Sequence, residues 1–168
     1  LAIAGEARAD RALVAELHAG AGVVIVDDGP ALRAGANATD MITTPLDAGV
    51  VIALEPPAPE TSIVWAPEVA FVAVGPDRSL LGGVRADFRW LDALSPRTDM
   101  WLAGRAGAST ACDDTMTGAE YGSTFGTEQM RAGVYVAAYR CRRSSTVSME
   151  RVPVLDTQIG FVLEINAR

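Results

Sequence analysis

The stretch Thr61–Gly75, TSIVWAPEVAFVAVG, constrains the fold more than any other. It is the densest apolar block in the chain, rich in β-branched and aromatic residues that suit a pleated sheet. Pro67 divides it. On an extended backbone Val69, Phe71 and Ala73 share one face, and Ala70, Val72 and Val74 share the other. A strand apolar on both faces is normally covered on both, so this block predicts a central strand.

Around it, the pattern predicts both helices and strands. Ala4–Ala19 reads as a helix, with Ile3, Ala7, Val14 and Leu17 near helical spacing, His18 in its last turn, and Gly20 and Gly22 as the stop. Val23–Val26 and Val50–Leu54 read as strands. Asp27–Pro30 is a turn by composition, Ala31–Gly49 a loop with one short extended piece, and Glu55–Pro59 a stiff connector. Arg85–Leu94 reads as a second helix ended by Pro96, and Met100–Leu102 as a short strand. Gly104–Gly126, without an apolar period, reads as a long loop or arm, of the kind that is functional or ordered by a partner. Gly133–Arg143 and Ile159–Ile165 alternate as strands, with Pro153 and Asp156 in the link between them. Helices and strands do not alternate regularly. The expected fold is therefore α+β: one globular domain over residues 1–168, with a mainly antiparallel sheet, an N-terminal helix, a second helix near 85–95 and an extended arm at 104–126.

Composition excludes several chemistries. All 14 basic residues are arginine, as in proteins from GC-rich genomes, so Schiff-base and phosphate-loop lysine mechanisms are closed. The formal charge of −7 argues against non-specific nucleic-acid binding. No run of 18 apolar residues offers a membrane-spanning helix, residues 1–22 lack a signal-peptide pattern, and no membrane span is expected. His18 is the only histidine, so multi-histidine metal sites are excluded, and a capping or surface role fits its place at a helix end. Nucleophile-elbow, Walker, dinucleotide, zincin, Cys-x-x-Cys and EF-hand motifs do not occur. Cys112 and Cys141 either bridge or stand as two free thiols.

Two segments carry candidate chemistry. Asp113, Asp114 and Glu120 form the densest carboxylate set in the expected loop. The two aspartates offer oxygen ligands for a hard cation, and a carboxylate pair can do acid–base hydrolysis. The alternative is a solvated loop. Arg140, Arg142 and Arg143, with Arg131 upstream, form the one concentrated positive patch. It suits a phosphate, a carboxylate ligand or an acidic partner surface, or else guards a strand edge against aggregation. Tyr121 and Phe125, like Tyr135 and Tyr139, read as packing or interface residues.

The order helix–strands–helix–strands is similar in outline to small phage head–tail joining proteins. That likeness is one of outline and not of motif. The missing catalytic constellation, the sheet-forming segments and the long loop at 104–126 together point to a non-enzymatic, cofactor-free subunit of a larger particle, self-assembling or bound to protein partners, in a virion or soluble in the cytoplasm. The alternative is a small metal-assisted or acid–base hydrolase using the carboxylates at 113–120.

Overall fold

A computed structural model describes residues 12–26, 42–43, 45–55, 63–88, 97–127, 129–144 and 151–167. Its elements are β1 (Ala12–Val26), β2 (Ile42–Thr43), β3 (Leu46–Glu55), β4 (Ile63–Val74), β5 (Asp77–Phe88), β6 (Arg97–Ser109), β7 (Met116–Gly126), β8 (Met130–Ser144) and β9 (Arg151–Ala167). Among the described residues there is no helix. Each long strand pairs antiparallel with the next, and β9 returns to pair with β1 from Leu13↔Ala167 to Val26↔Val154. Eight strands thus close a barrel, and the two residues of β2 add to the end of β1. The expected α+β fold is corrected to an all-β closed barrel.

The register fixes the shape. From Val14 the paired residues run through Ala53, Glu68, Gly83, Arg105, Gly118, Tyr139 and Asp156, and return to β1 at Val24. Each circuit climbs from Val14 to Val24 along β1, so the strands must tilt, by about 40° for a barrel of this size. Eight strands leave an interior just wide enough for side chains to fill.

Each helical expectation fails for an identifiable reason. Leu13 and Leu17 are four apart, which suits a helix face, but four is also twice the strand period. In β1 they face outward, while Val14, Glu16 and His18 face inward. His18 is therefore buried, not a cap. Arg85 lies in β5, where pairing with β4 and β6 overrides the weak helical pattern. The expected arm at 104–126 is the end of β6, a turn at 110–115 and β7. Its small residues carry no apolar period, yet the ladder needs only their backbone: Gly104 pairs with Val84 and Ala119, and Gly118 with Arg105 and Tyr139. Pro153 and Asp156 lie inside β9 rather than in a link. Residues 4–11 of the first expected helix, the turn at 27–30, the loop at 31–41, the connector at 56–59 and residues 89–94 of the second helix lie outside the described residues.

The Thr61–Gly75 block contains β4, whose exposure alternates residue by residue. Val64, Ala66, Glu68, Ala70, Val72 and Val74 point in, and Ile63, Trp65, Val69 and Phe71 point out. Pro67, which has no N–H to give, faces outward one residue beyond the last pair with β3, Ala53↔Glu68. After Val74 the chain reverses through Gly75, whose φ of 56° is open to glycine without strain.

Candidate functional site

The two faces of the barrel wall differ in chemistry: many charged residues are buried among apolar ones inside, and the outside is largely apolar. Inside lie Glu16, His18, Asp47, Glu55, Glu68, Arg85, Asp87, Asp99, Arg105, Glu120, Arg131, Asp156 and Glu164, all buried. Outside lie Leu17, Ile52, Trp65, Phe71, Leu102, Phe125, Val134 and Phe161, each well exposed, among many similar residues.

Arginines offset part of this buried charge, and burial raises the pKa values of Asp47, Asp156 and Glu164 towards the neutral form. Arg105 on β6 donates Nε to Glu68 Oε1 at 2.6 Å and Nη1 to Glu120 Oε2 at 2.6 Å. Tyr139 Oη accepts a third bond from Arg105 at 3.0 Å, and the Trp101 indole N–H donates to Glu120 Oε1 at 3.2 Å. Arg85 on β5 bonds Glu16 and Asp87, with its guanidinium carbon 4.6 Å from the centre of the Trp101 ring. Arg131 on β8 holds Asp99 at 2.8 Å and Glu164 at 3.5 Å. His18 links the two larger clusters. Its Nε2 is 3.1 Å from Glu16, its Nδ1 3.7 Å from Glu120, and its ring packs 4.5 Å from that of Tyr135. Apolar side chains fill the rest of the lumen, with Val51, Leu81, Met116, Cys141 and Val154 facing in.

Glu16, His18 and Glu120 bring one potential metal-ligand atom each to within 4.8 Å of one another. Guanidiniums already neutralise both carboxylates, so the arrangement works as an ion network that cross-ties the wall.

The carboxylates expected to act together are separated by the wall. Glu120 lies in the lumen, whereas Asp113 and Asp114 sit in the β6–β7 turn. Asp113 Oδ2 accepts bonds from the Ser144 amide and hydroxyl, both at 2.5 Å. Asp114 Oδ1 accepts the Arg142 amide at 2.7 Å, and the Asp113 amide donates to the Arg142 carbonyl at 2.8 Å. The Ser144 hydrogen bonds, with Arg151 and Arg143 nearby, hold the Asp113 carboxyl below its ordinary value. Cys112 in the same turn is bridged to Cys141 in β8, with Cα atoms 5.9 Å apart. These bonds stitch the turn onto the end of β8.

Arg140 and Arg142 share a face, as their spacing predicts, and that face is the outer one, while Arg143 sits half-buried at the barrel mouth. A closed barrel leaves β8 paired on both sides, so they guard no free edge there. Tyr121 and Phe125 face outward and are exposed, whereas Tyr135 and Tyr139 are buried in the lumen. Sequence reasoning missed the lumen set of Glu16, Arg85, Asp87, Asp99, Arg105 and Glu164, and passed over Glu68. The available signal was a charge at alternate positions of apolar segments, as in Leu13-Val14-Ala15-Glu16-Leu17-His18.

No protein-family model matches the chain, and no curated protein is significantly similar to it.

Proposed function

We propose that this protein is an integral membrane β-barrel of the eight-stranded, side-chain-filled type, serving as a structural element of a membrane rather than as an enzyme or an open pore. One observation carries the reading. On the outward positions of the eight strands no described residue is acidic, nearly all are apolar or small, and the charged ones are arginines at one end. A wall with charged side chains inside and leucine, valine, isoleucine and phenylalanine outside suits a lipid solvent, because each long strand pairs with a neighbour on both sides and the sheet has no open edge strand. The apolar outward runs Met130–Ala138 of β8 and Leu155–Ile165 of β9 are roughly ten residues each, the length a tilted strand needs to cross the hydrocarbon layer.

No helix among the described residues is long and apolar enough to cross a membrane. One further feature fits: the Cys112–Cys141 bridge suits an oxidising compartment outside the cytoplasm. This reading keeps the non-enzymatic, structural role expected from sequence and moves it from a soluble particle to a bilayer. The hydrolase alternative is less supported, since Glu120 is committed to Arg105 and Asp113 and Asp114 to the end of β8.

The test is refolding from urea into vesicles of neutral phosphatidylcholine. A barrel that inserts migrates faster on unheated than on heated denaturing gels and is protected from protease along its strands. A chain that folds to a monodisperse particle in buffer without lipid or detergent would overturn the proposal.

A further inference from the structure

The arginines of the outer face are not spread around the rim. Arg140 and Arg142 stand on β8, Arg151 on the neighbouring end of β9, and Arg78 on β5. Arg78 is engaged, donating to the Gly75 and Asp77 carbonyls. The other three adjoin one another. Arg140 and Arg142 share a face two residues apart, and Arg142 pairs with Pro153 while Ser144 pairs with Arg151, which places Arg142 and Arg151 on a diagonal of about 7–8 Å. Among the described residues the carboxylates at this end of β8 are Asp113 and Asp114, which bond Ser144 and the Arg142 backbone, and Asp113 also feels the charge of Arg151. The chain's net negative charge hides this patch, because among the described residues nine carboxylates against three guanidiniums are buried in the lumen.

Directly towards the apolar band lies a groove of about 360 Å³ on the outer wall. Its floor is the row Ala119, Ala138 and Thr157, paired across β7, β8 and β9, with Leu102, Tyr121 and Val136 along one side. Ala138 is two residues from Arg140 on the same face of β8. Small residues in the row make the groove, and Arg140 stands beside it, on the side opposite Val136.

We propose that Arg140, Arg142 and Arg151, with the groove below them, bind one anionic membrane lipid, its phosphate on the guanidiniums and an acyl chain along Ala119, Ala138 and Thr157. The inference rests on the bilayer reading above and adds to it a ligand site. Guanidiniums suit the role because their donor forks engage phosphate oxygens in pairs and shed water more readily than an ammonium. An apolar groove beside Arg140 distinguishes a lipid from a free anion, which would use the arginines alone.

The experiment uses the full chain folded in dodecyl maltoside, a detergent without phosphate. Dioleoylphosphatidylglycerol is titrated and bound lipid counted by native mass spectrometry, beside dioleoylphosphatidylcholine and inorganic phosphate. Phosphatidylglycerol is expected to bind the wild type in preference to phosphatidylcholine. Its affinity should fall about ten-fold or more in R140Q/R142Q/R151Q, since each basic side chain at a membrane surface contributes severalfold. Ala138→Leu, which fills the groove and keeps every charge, should also weaken binding. Equal affinity in wild type and triple variant, or displacement of the lipid by inorganic phosphate at matched concentration, would overturn the site. The gel-shift assay in neutral vesicles separates the two proposals. Insertion of wild type and variants without any anionic preference removes the lipid site and leaves the barrel reading standing, whereas no insertion removes both.

Discussion

Arg85 on β5 and Glu16 on β1 form an ion pair across the barrel, between strands that are not neighbours in the sheet. Backbone ladders join each strand only to the next, whereas this pair spans the lumen and fixes the cross-section. Arg85 also bonds Asp87, and its Nη2 is 3.7 Å from Glu164. Removing the guanidinium leaves buried carboxylates without a counter-charge. Arg85→Met is expected to cost about 3–5 kcal/mol, read as a lower urea midpoint for the folded band in vesicles. The triple change E16Q/R85M/D87N should recover much of that loss, because the stranded charges go with their partner. An unshifted midpoint in the single variant would show that the pair contributes nothing.

Ile52 faces outward from β3 and is paired with Ala15 and Val69, which also face outward. In a water-soluble barrel a charge there would be nearly neutral. In a bilayer Ile52→Arg should destabilise by about 2–4 kcal/mol if the site lies near the midplane, less towards either interface. Folding titrations in phosphatidylcholine vesicles measure it directly, and a neutral result would count against a lipid-facing wall.

Gly122 is the floor on which Trp101 rests. A Cβ at Gly122 would overlap the indole ring of Trp101, its register partner and a fully buried side chain. Gly122→Val should therefore abolish the folded band or displace Trp101, with a change in its fluorescence maximum. Gly104 is the control. A Cβ there meets open space on the outer face, so Gly104→Ala should fold as well as wild type or slightly better. If both variants fold equally well, the packing of Trp101 over Gly122 is wrong.

Asp113 gives the turn at 110–115 a pH dependence. Its folded-state pKa lies below the ordinary carboxylate value, chiefly through the Ser144 hydrogen bonds. The tie is therefore fully present above the unfolded value near 4 and is lost as pH falls through the folded value. Exchange of the Ser144 amide should be slow at neutral pH and accelerate, beyond the intrinsic pH trend, below about pH 4. Asp113→Asn should show faster exchange at pH 7, with the difference from wild type closing in acid. A constant difference across the range would mean that the carboxylate charge is not what holds Ser144.

By itself the sequence determined which segments alternate. Val134, Val136 and Ala138 separate from Tyr135, Ala137 and Tyr139 along β8, and Ile159, Phe161, Leu163 and Ile165 align along β9, because a strand's period of two is written in neighbouring residues. It also excluded lysine and multi-histidine chemistry. It did not determine which face is inside. Alternation is the same whether the apolar set meets a core or a lipid, and only closure of β1 onto β9 decides it. The small-residue strands β6 and β7 were illegible because ladder pairing with β5 and β8, not side-chain pattern, makes them strands. The lumen network was illegible for a related reason. Glu16, Arg85 and Glu164 are far apart in the chain, and only the register of a closed barrel aims their side chains at one another. The arginines at 140 and 142 were visible as a patch from the start. That Arg151 joins them above a groove of small residues was decided by the pairing of β8 with β9.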